Sequence, residues 1–329
     1  MGDFRMPGSR IAAGVPPVVV LAVLAALPYL ASVRYVFFAT ELAIAVLYAC
    51  SLNLLMGFGG MLSLGHAAYF ALGAYTTALL VAKLGWPMLG ALAAGPCVAL
   101  LAALFFGIFI VRISHQEHAY FLMLTLAFSQ MVYTLIYRWY SLTGGDDGIT
   151  GIFPASWIAT PQQYYWFVLV IVSASLYVLW RIVRSPFGLT LQAIRDNPQR
   201  AEFVGLSIRR YQLMAFVIAG LLAGIAGSLY AFFSGTISPQ IADWGASARP
   251  FLANTIGGIQ SFWGPVLGVV VLETIDSQVG RLTEHSLLAV GGLAVAVGIF
   301  LPRGVIGLIV GDGGRHIAAL LRRSRRTET

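Results

Sequence analysis

The chain reads as a succession of apolar stretches separated by short polar connectors. Most stretches run to about 20 residues, the length a helix needs to cross the hydrocarbon core of a bilayer. The pattern predicts spans near residues 11–31, 36–57, 64–82, 88–111, 119–137, 164–183, 213–233, 250–263, 264–280 and 286–301. Ten-residue segments of alternating polarity, the mark of a membrane barrel, are absent from the pattern. Helices follow, because backbone polar groups in lipid must pair within their own segment or in a closed barrel. Segment 250–280 is interrupted by Gly257, Gly258, Gly264, Pro265 and Gly268. Cytoplasmic loops gather Lys and Arg, which puts the arginine-rich loop 184–212 and the tail Arg322, Arg323, Arg325 and Arg326 on one side. Two short helices in 250–280 satisfy that requirement and one continuous helix does not. Ten spans with both ends cytoplasmic leave only Arg34, Lys83, Arg138, Arg249 and Arg281 outside.

Composition supports this pattern. Only 10% of the 329 residues are charged and 59% are apolar, against roughly 25% charged in soluble domains. The net charge is +7, but the arginines sit at span ends and form no single patch, which argues against nucleic acid as a partner. Arg5 and Arg10 precede the apolar run Ile11–Ala31, which is longer than the 7–15 residues of a signal-peptide core. It reads as a retained first span. Cys50 and Cys97 both fall in apolar runs, so neither a disulfide framework nor a metal cluster is implied.

Two places break the helical pattern alike. Asn53 is followed by Gly57, Gly59 and Gly60, then Ser63, Gly65 and His66; Asn254 is followed by Gly257 and Gly258, then Ser261 and Gly264. Broken backbone at membrane depth survives only where it packs on protein or lines a cavity. Paired breaks in two halves of a transporter point to the transport path; close packing through small residues is the other reading. His66 is a functional candidate as an ionisable group inside the membrane, or it caps a freed backbone carbonyl. Glu41 and Asp276 fall where a membrane interface would lie, and a proton relay through Glu273 has no support from the residues around it.

The long loops carry the sharpest local signals. Ser185-Pro186 and Asn197-Pro198 are helix starts, a capping residue followed by proline at the first helical position, and Gly205 sits where a helix ends. Pro198–Val204 is thereby a helix of about two turns, roughly 10 Å long, too short to cross a bilayer. Arg195, Asp196, Arg200 and Glu202 around Phe203 and Val204 suit a peg docking into another protein, or an amphipathic helix lying on lipid headgroups. In the outer loop, Thr143, Gly144, Gly145, Asp146, Asp147 and Gly148 form a turn-rich surface facing a partner. The two aspartates lack the spacing of a calcium loop. No Walker lysine motif, paired-histidine metal motif, nucleophile elbow or CxxC pair occurs, so an enzyme is not indicated and the chain has no ATP site of that kind.

Five segments together resemble a known family: LNLLMGFGGMLSLGHAAYFALGAY (Leu52–Tyr75), LTGGDDGITGI (Leu142–Ile152), QAIRDNPQRAEFVGLSIRRYQLMAFVIAGLLAGIAGSLYAFFSGTISP (Gln192–Pro239), GGIQSFWGPVLG (Gly257–Gly268) and LPRGVIGLI (Leu301–Ile309). They are similar to the permeases of branched-chain amino acid ABC importers, and to the LivM-type subunit more than its LivH-type partner. The resemblance covers roughly residues 35 to 310. It implies an all-α polytopic protein of about ten transmembrane helices, some broken or short, in the ABC importer permease fold. A single permease domain over 1–310 would precede a basic tail, 311–329. The implied setting is a bacterial inner membrane, with a homologous LivH-type permease, two cytoplasmic ATPase subunits and a periplasmic binding protein as partners. ATP and Mg would act on the ATPase subunits, with no cofactor in this chain. Arg195, Asp196, Asn197, Arg200, Ala201, Glu202, Phe203 and Gly205 would form the coupling loop; Arg200 stands where the related EAA loop has Glu. The resemblance further implies that the outer loop receives the binding protein and that the two broken segments rock open. A permease for urea, amides, aromatic acids or a sugar remains the alternative, followed by an ion-coupled secondary transporter.

Overall fold

A computed structural model describes residues 32–113 and 118–279, with Pro28, 291–292, 297 and 304–309. The predicted spans 11–31 and 286–301 and the basic tail lie, isolated positions aside, outside the described residues. The chain divides into two compact units, one of Ala31–Phe251 and one built around the described residues from Leu252 onward.

Helix α1 (Val33–Asn53) passes into a π-helical turn at Leu54–Phe58, and an irregular stretch leads to α2 (His66–Ala82). Then come α3 (Met88–Ile113), α4 (His118–Arg138), the single turn α5 (Tyr140–Thr143), strand β1 (Ile149–Thr150) and α6 (Pro161–Arg184). The arginine-rich loop folds as α7 (Pro186–Asp196) and α8 (Pro198–Phe203). It is followed by α9 (Ile208–Ser234), strand β2 (Thr236–Ile237) and α10 (Trp244–Gly257). The second unit holds the end of α10 from Leu252, with α11 (Gly264–Val279) and α12 (Gly304–Ile309).

Five helical stretches among the described residues are long and apolar enough to cross a membrane: Val33–Phe58, Met88–Ile113, Ala119–Arg138, Pro161–Arg184 and Ile208–Ser234. Their ends lie within about five residues of the sequence reading. Helix α9 starts earlier than expected because Ile208 is buried with Ile194 and Ala201, which extends the helix down to the loop. The 250–280 region holds two helices, of which the first begins at Trp244 rather than 250 and carries Pro250 inside it. Asp243 explains the early start: its carbonyl takes the Ala246 N–H at 3.0 Å, and Gln130 Nε2 holds its carboxylate at 3.2 Å.

The centre of the first unit is the contact of α2, α3 and α9, where small residues let backbones touch. A β-carbon at Gly73 would run into the Gly224 backbone, and one at Gly227 into the Phe70 carbonyl. Lipid tails are as apolar as leucine, so helices associate in a bilayer through close packing and hydrogen bonds rather than a hydrophobic drive. Both operate at this contact. Ser228 Oγ donates to the Gly73 carbonyl at 3.2 Å, and Thr77 Oγ1 lies 2.9 Å from the same oxygen. Gly227→Leu is expected to lower thermal stability in detergent by an overpacking cost of about 1–3 kcal/mol. Gly90→Ala, where the added carbon meets nothing closer than 3.5 Å, should be neutral or slightly stabilising in the same thermal-unfolding assay.

Candidate functional site

Helix α2 spans 17 residues, about 25 Å at 1.5 Å per residue, which is less than the ~30 Å hydrocarbon core. It starts beside the middle of α4: a β-carbon at Gly65 would overlap the Thr125 carbonyl. The break between α1 and α2 therefore lies inside the apolar zone, and its loose backbone groups need protein partners. Gly59 N–H reaches back to Leu54 O at 3.0 Å and Met61 N–H to Leu55 O at 2.9 Å, closing the π turn. Leu64 N–H donates to Thr125 Oγ1 at 3.3 Å, and Ala67 N–H, in the uncapped first turn of α2, donates to Ser247 Oγ of α10 at 2.8 Å. The start of α10 and the residues before it are drawn to the same place: Ser129 Oγ donates to Ala242 O at 3.1 Å, and Tyr48 Oη lies 3.3 Å from Ala246 O.

His66 sits at the heart of this cluster and is fully buried. Its Nε2 lies 2.7 Å from Ser51 Oγ, and that oxygen is also 2.7 Å from Tyr48 O. With the single hydroxyl hydrogen directed to Tyr48 O, the imidazole donates from Nε2–H and Nδ1 carries the lone pair. The Tyr48 ring stacks on the imidazole at 5.5 Å and 13°, and Tyr69 meets it edge-on at 6.2 Å. The partner of His66 is thus a hydroxyl on α1 and not the freed backbone carbonyl that the sequence allowed. Nδ1, Tyr69 Oη and Tyr75 Oη are buried with no partner among the described residues. Buried polar atoms left so are rare enough to call for an explanation.

Of the expected path residues, Asn53, Gly57, Gly59, Ser63, Gly65 and His66 are buried around this break, and Gly60 is half-buried. Asn254, Gly257 and Gly258 are buried at the second break, which has a different character. There a β-carbon at Gly257 would strike the Gly264 carbonyl, one at Gly264 the Gly258 carbonyl, and one at Gly268 the Ala253 carbonyl. The glycines of the second break let α10 and α11 pack backbone to backbone, the small-residue role that was the other reading of the motif. Sequence reasoning missed Ser51, Thr125, Ser129 and Ser247. Three are lone small hydroxyls in apolar runs and Ser247 lies in a predicted connector, and only pairing at the break marks them.

In the arginine-rich loop, Asn197 Oδ1 caps α8 by accepting from Arg200 N–H at 2.9 Å, and Gly205 takes a left-handed φ of 86° just past the helix, as expected. Ser185 occupies the N-cap position of α7 without capping it; its hydroxyl donates to Ile182 O at 2.7 Å and closes α6 instead. Ala201 faces inward against Ile194 and Ile208, whereas Arg200, Glu202, Phe203 and Val204 are exposed, Phe203 at 91% and Val204 at 80%. Arg195 turns away from that face. Its Nη1 donates to the Gly57 carbonyl in the π turn, while Nε and Nη2 hold Asp196 Oδ1 at 3.0 and 2.8 Å.

At the other end of the helices, the 143–148 turn is a braced scaffold. Thr143 and Gly145 are buried, Asp146 and Asp147 exposed. Thr143 Oγ1 lies 2.6 Å from Ile136 O, and Lys83 Nζ donates to Ser141 O and Leu142 O at 2.8 and 2.6 Å. A β-carbon at Gly144 would overlap the Gly148 carbonyl, and Ile149 pairs with Ile237 between β1 and β2. Tyr140 Oη donates to Asp147 Oδ2 at 2.8 Å, and this bond raises the phenol above its ordinary range. Asp146 and Asp147 are the exposed members of the turn, with Gly144 and Gly148 half-buried. Within the membrane cluster, Ser51→Ala strips the His66 Nε2–H of its partner and is expected to cost about 1–3 kcal/mol in thermal unfolding. Ser51→Thr, which keeps the hydroxyl, should recover most of it.

The sequence profile described as branched-chain amino acid transport system / permease component matches residues 34–301. The chain is 29% identical over 316 residues to the high-affinity branched-chain amino acid transport system permease protein LivM of Escherichia coli K12, covering 88% of this chain and 74% of that one. It is 26% identical over 284 residues to the corresponding LivH of the same organism, covering 79% of this chain and 90% of LivH. A shorter stretch of 118 residues is 30% identical to the autoinducer 2 import system permease protein LsrC of Photorhabdus laumondii, 34% of either chain. No solved structure matches the chain. The helical architecture, the internal break and the profile that spans both place this chain in the family of branched-chain amino acid transport system permease components.

Proposed function

We propose that the chain is the LivM-type permease subunit of an ATP-driven importer of branched-chain amino acids in a bacterial inner membrane, with both termini cytoplasmic. A LivH-type permease would complete the path, two cytoplasmic ATPase subunits would supply ATP and Mg chemistry, and a periplasmic protein would deliver substrate. The observation that carries this reading is the form of α8. Its inner side is anchored through Ala201, Ile194 and Ile208, and its tip presents Phe203 and Val204 almost wholly exposed. A large apolar pair held out on a rigid, capped helix suits a groove in a protein better than a headgroup layer, where the acidic Asp196 and Glu202 beside it weaken attraction to anionic lipid.

In this reading α8 is the coupling helix, and Arg200, Glu202, Phe203 and Gly205 meet the ATPase. Asp146 and Asp147 at the opposite end meet the binding protein. The break at Gly57–His66, tied to Ser247 of α10, lines the path. Zwitterionic amino acids suit uncharged N–H and C=O groups at helix ends. The partial likeness to an autoinducer 2 import permease favours one further reading, a substrate other than an amino acid, since the shared membrane scaffold does not by itself choose the cargo.

Purification of the tagged chain from native membranes in mild detergent is expected to bring with it a second permease and two ATPase subunits. Phe203→Asp should deplete the ATPase by about ten-fold, the loss typical of a buried interface anchor worth more than about 1 kcal/mol, without lowering the amount of chain in the membrane. Reconstituted complexes should take up leucine, isoleucine and valine. A chain that purifies alone and moves substrate on an ion gradient would sink the importer reading.

A further inference from the structure

The helix that ends in the first break has no basic residue near that end. Neither α1 nor the π turn has one in its last turn, although a helix C-terminus carries unpaired carbonyls and partial negative charge. Arg195 supplies that cation from 138 residues away, with Nη1 on the Gly57 carbonyl. Its stem lies over Gly60, where an added β-carbon would sit 2.6 Å from Arg195 Cγ and 3.3 Å from Arg195 Cβ, and where φ is 68°. Gly60 is thus glycine for two reasons, the left-handed backbone and the room it leaves for the arginine.

The other end of the same residue belongs to the peg. Arg195 is in the last turn of α7, one residue from Asp196 and two from Asn197, the cap of α8. Asp196 grips the guanidinium through Nε and Nη2 and fixes its plane, which a lysine ammonium could not reproduce. Ile194, the preceding residue, packs with Ala201 and Ile208. Arg195 is thus joined to α8 through its chain neighbours and to the π turn through the Gly57 carbonyl.

We infer that Arg195 is the positioning residue that links the exposed peg α8 to the broken end of α1, through Asp196 on one side and Gly57 with Gly60 on the other. This rests on the importer reading above, and it separates two roles within the loop. Phe203 and its neighbours attach the motor; Arg195 delivers the motion to the break. The residue touches neither nucleotide nor substrate and acts through the backbone it holds.

The test uses the complete complex in proteoliposomes, with ATP hydrolysis and leucine uptake read separately. Arg195→Met keeps the stem and removes every donor. It is expected to keep its ATPase subunits and hydrolysis within about two-fold while uptake falls about ten-fold, at the upper end of couplings modulated by residues away from either site. Arg195→Lys should restore part of the uptake. Gly60→Ala should copy the defect, and the double variant Arg195→Met/Gly60→Ala should be no worse than the poorer single one. Unchanged uptake, additive losses, or hydrolysis lost together with the ATPase subunits overturns the link.

The contact itself is tested without partners. In a Cys97→Ser background, Gly60→Cys/Arg195→Cys should form a disulfide on mild oxidation of membranes, since the β-carbon distance is close to the ~3.5–4.5 Å such bonds need. Failure to cross-link overturns the juxtaposition whatever the complex contains. A wild-type complex that lacks ATPase subunits or moves no leucine overturns the importer reading, and the link with it, while leaving the disulfide result standing.

Discussion

Where there is no water, every backbone N–H and C=O must find its partner in protein, and the first unit is arranged around meeting that demand at one place. The break after α1 frees groups that a continuous helix would have paired. Some are met within the turn itself, and three are met from other elements: Leu64 N–H by Thr125 of α4, Ala67 N–H by Ser247 of α10, and the Gly57 carbonyl by Arg195 of α7. A discontinuity thus becomes the node where four parts of the chain are joined. The rest of the unit can stay plain because the exception is concentrated. The small-residue contact of α2, α3 and α9 gives the node a stiff backing, with Ser228 and Thr77 both directed at the Gly73 carbonyl.

The two breaks look alike in sequence and differ in what they do locally. At the first, backbone is paired with side chains brought from afar, and polar atoms of His66, Tyr69 and Tyr75 remain buried without partners among the described residues. At the second, glycines are spent on closeness, with Gly257, Gly264 and Gly268 pressing backbone on backbone. One motif, asparagine followed by spaced glycines, serves a junction held by distant side chains in one unit and close backbone packing in the other. Nothing in the motif itself distinguishes the two, because the difference lies in which helix passes alongside.

Features set by neighbours in sequence were legible, and those set by distant partners were not. The ends of α3, α4 and α6 follow from apolar length, and α8 follows from Asn197, Pro198 and Gly205, whose capping and left-handed roles are local. Ser185 shows the limit even there, since its hydroxyl turned back to Ile182 and closed the helix behind it. The early start of α10 depends on Asp243 held by Gln130 across 113 residues. Arg195 was legible as part of a basic loop, yet its direction was not, because the carbonyl it seeks exists only once α1 has broken. The same holds for Ser51 and Ser247, ordinary hydroxyls until the break gives them something to bind.

Lys83 adds a consequence of another kind. It is the sole lysine of the chain, the other nineteen basic residues being arginine. Its position suits the exception: a compact ammonium fits between the carbonyls of Ser141 and Leu142, where a flat, forked guanidinium demands a wider bay. The protein therefore carries one side-chain amine, exposed and at the end opposite α8. Chemistry directed at primary amines therefore meets a single lysine on this molecule, at the end of the helices away from α8.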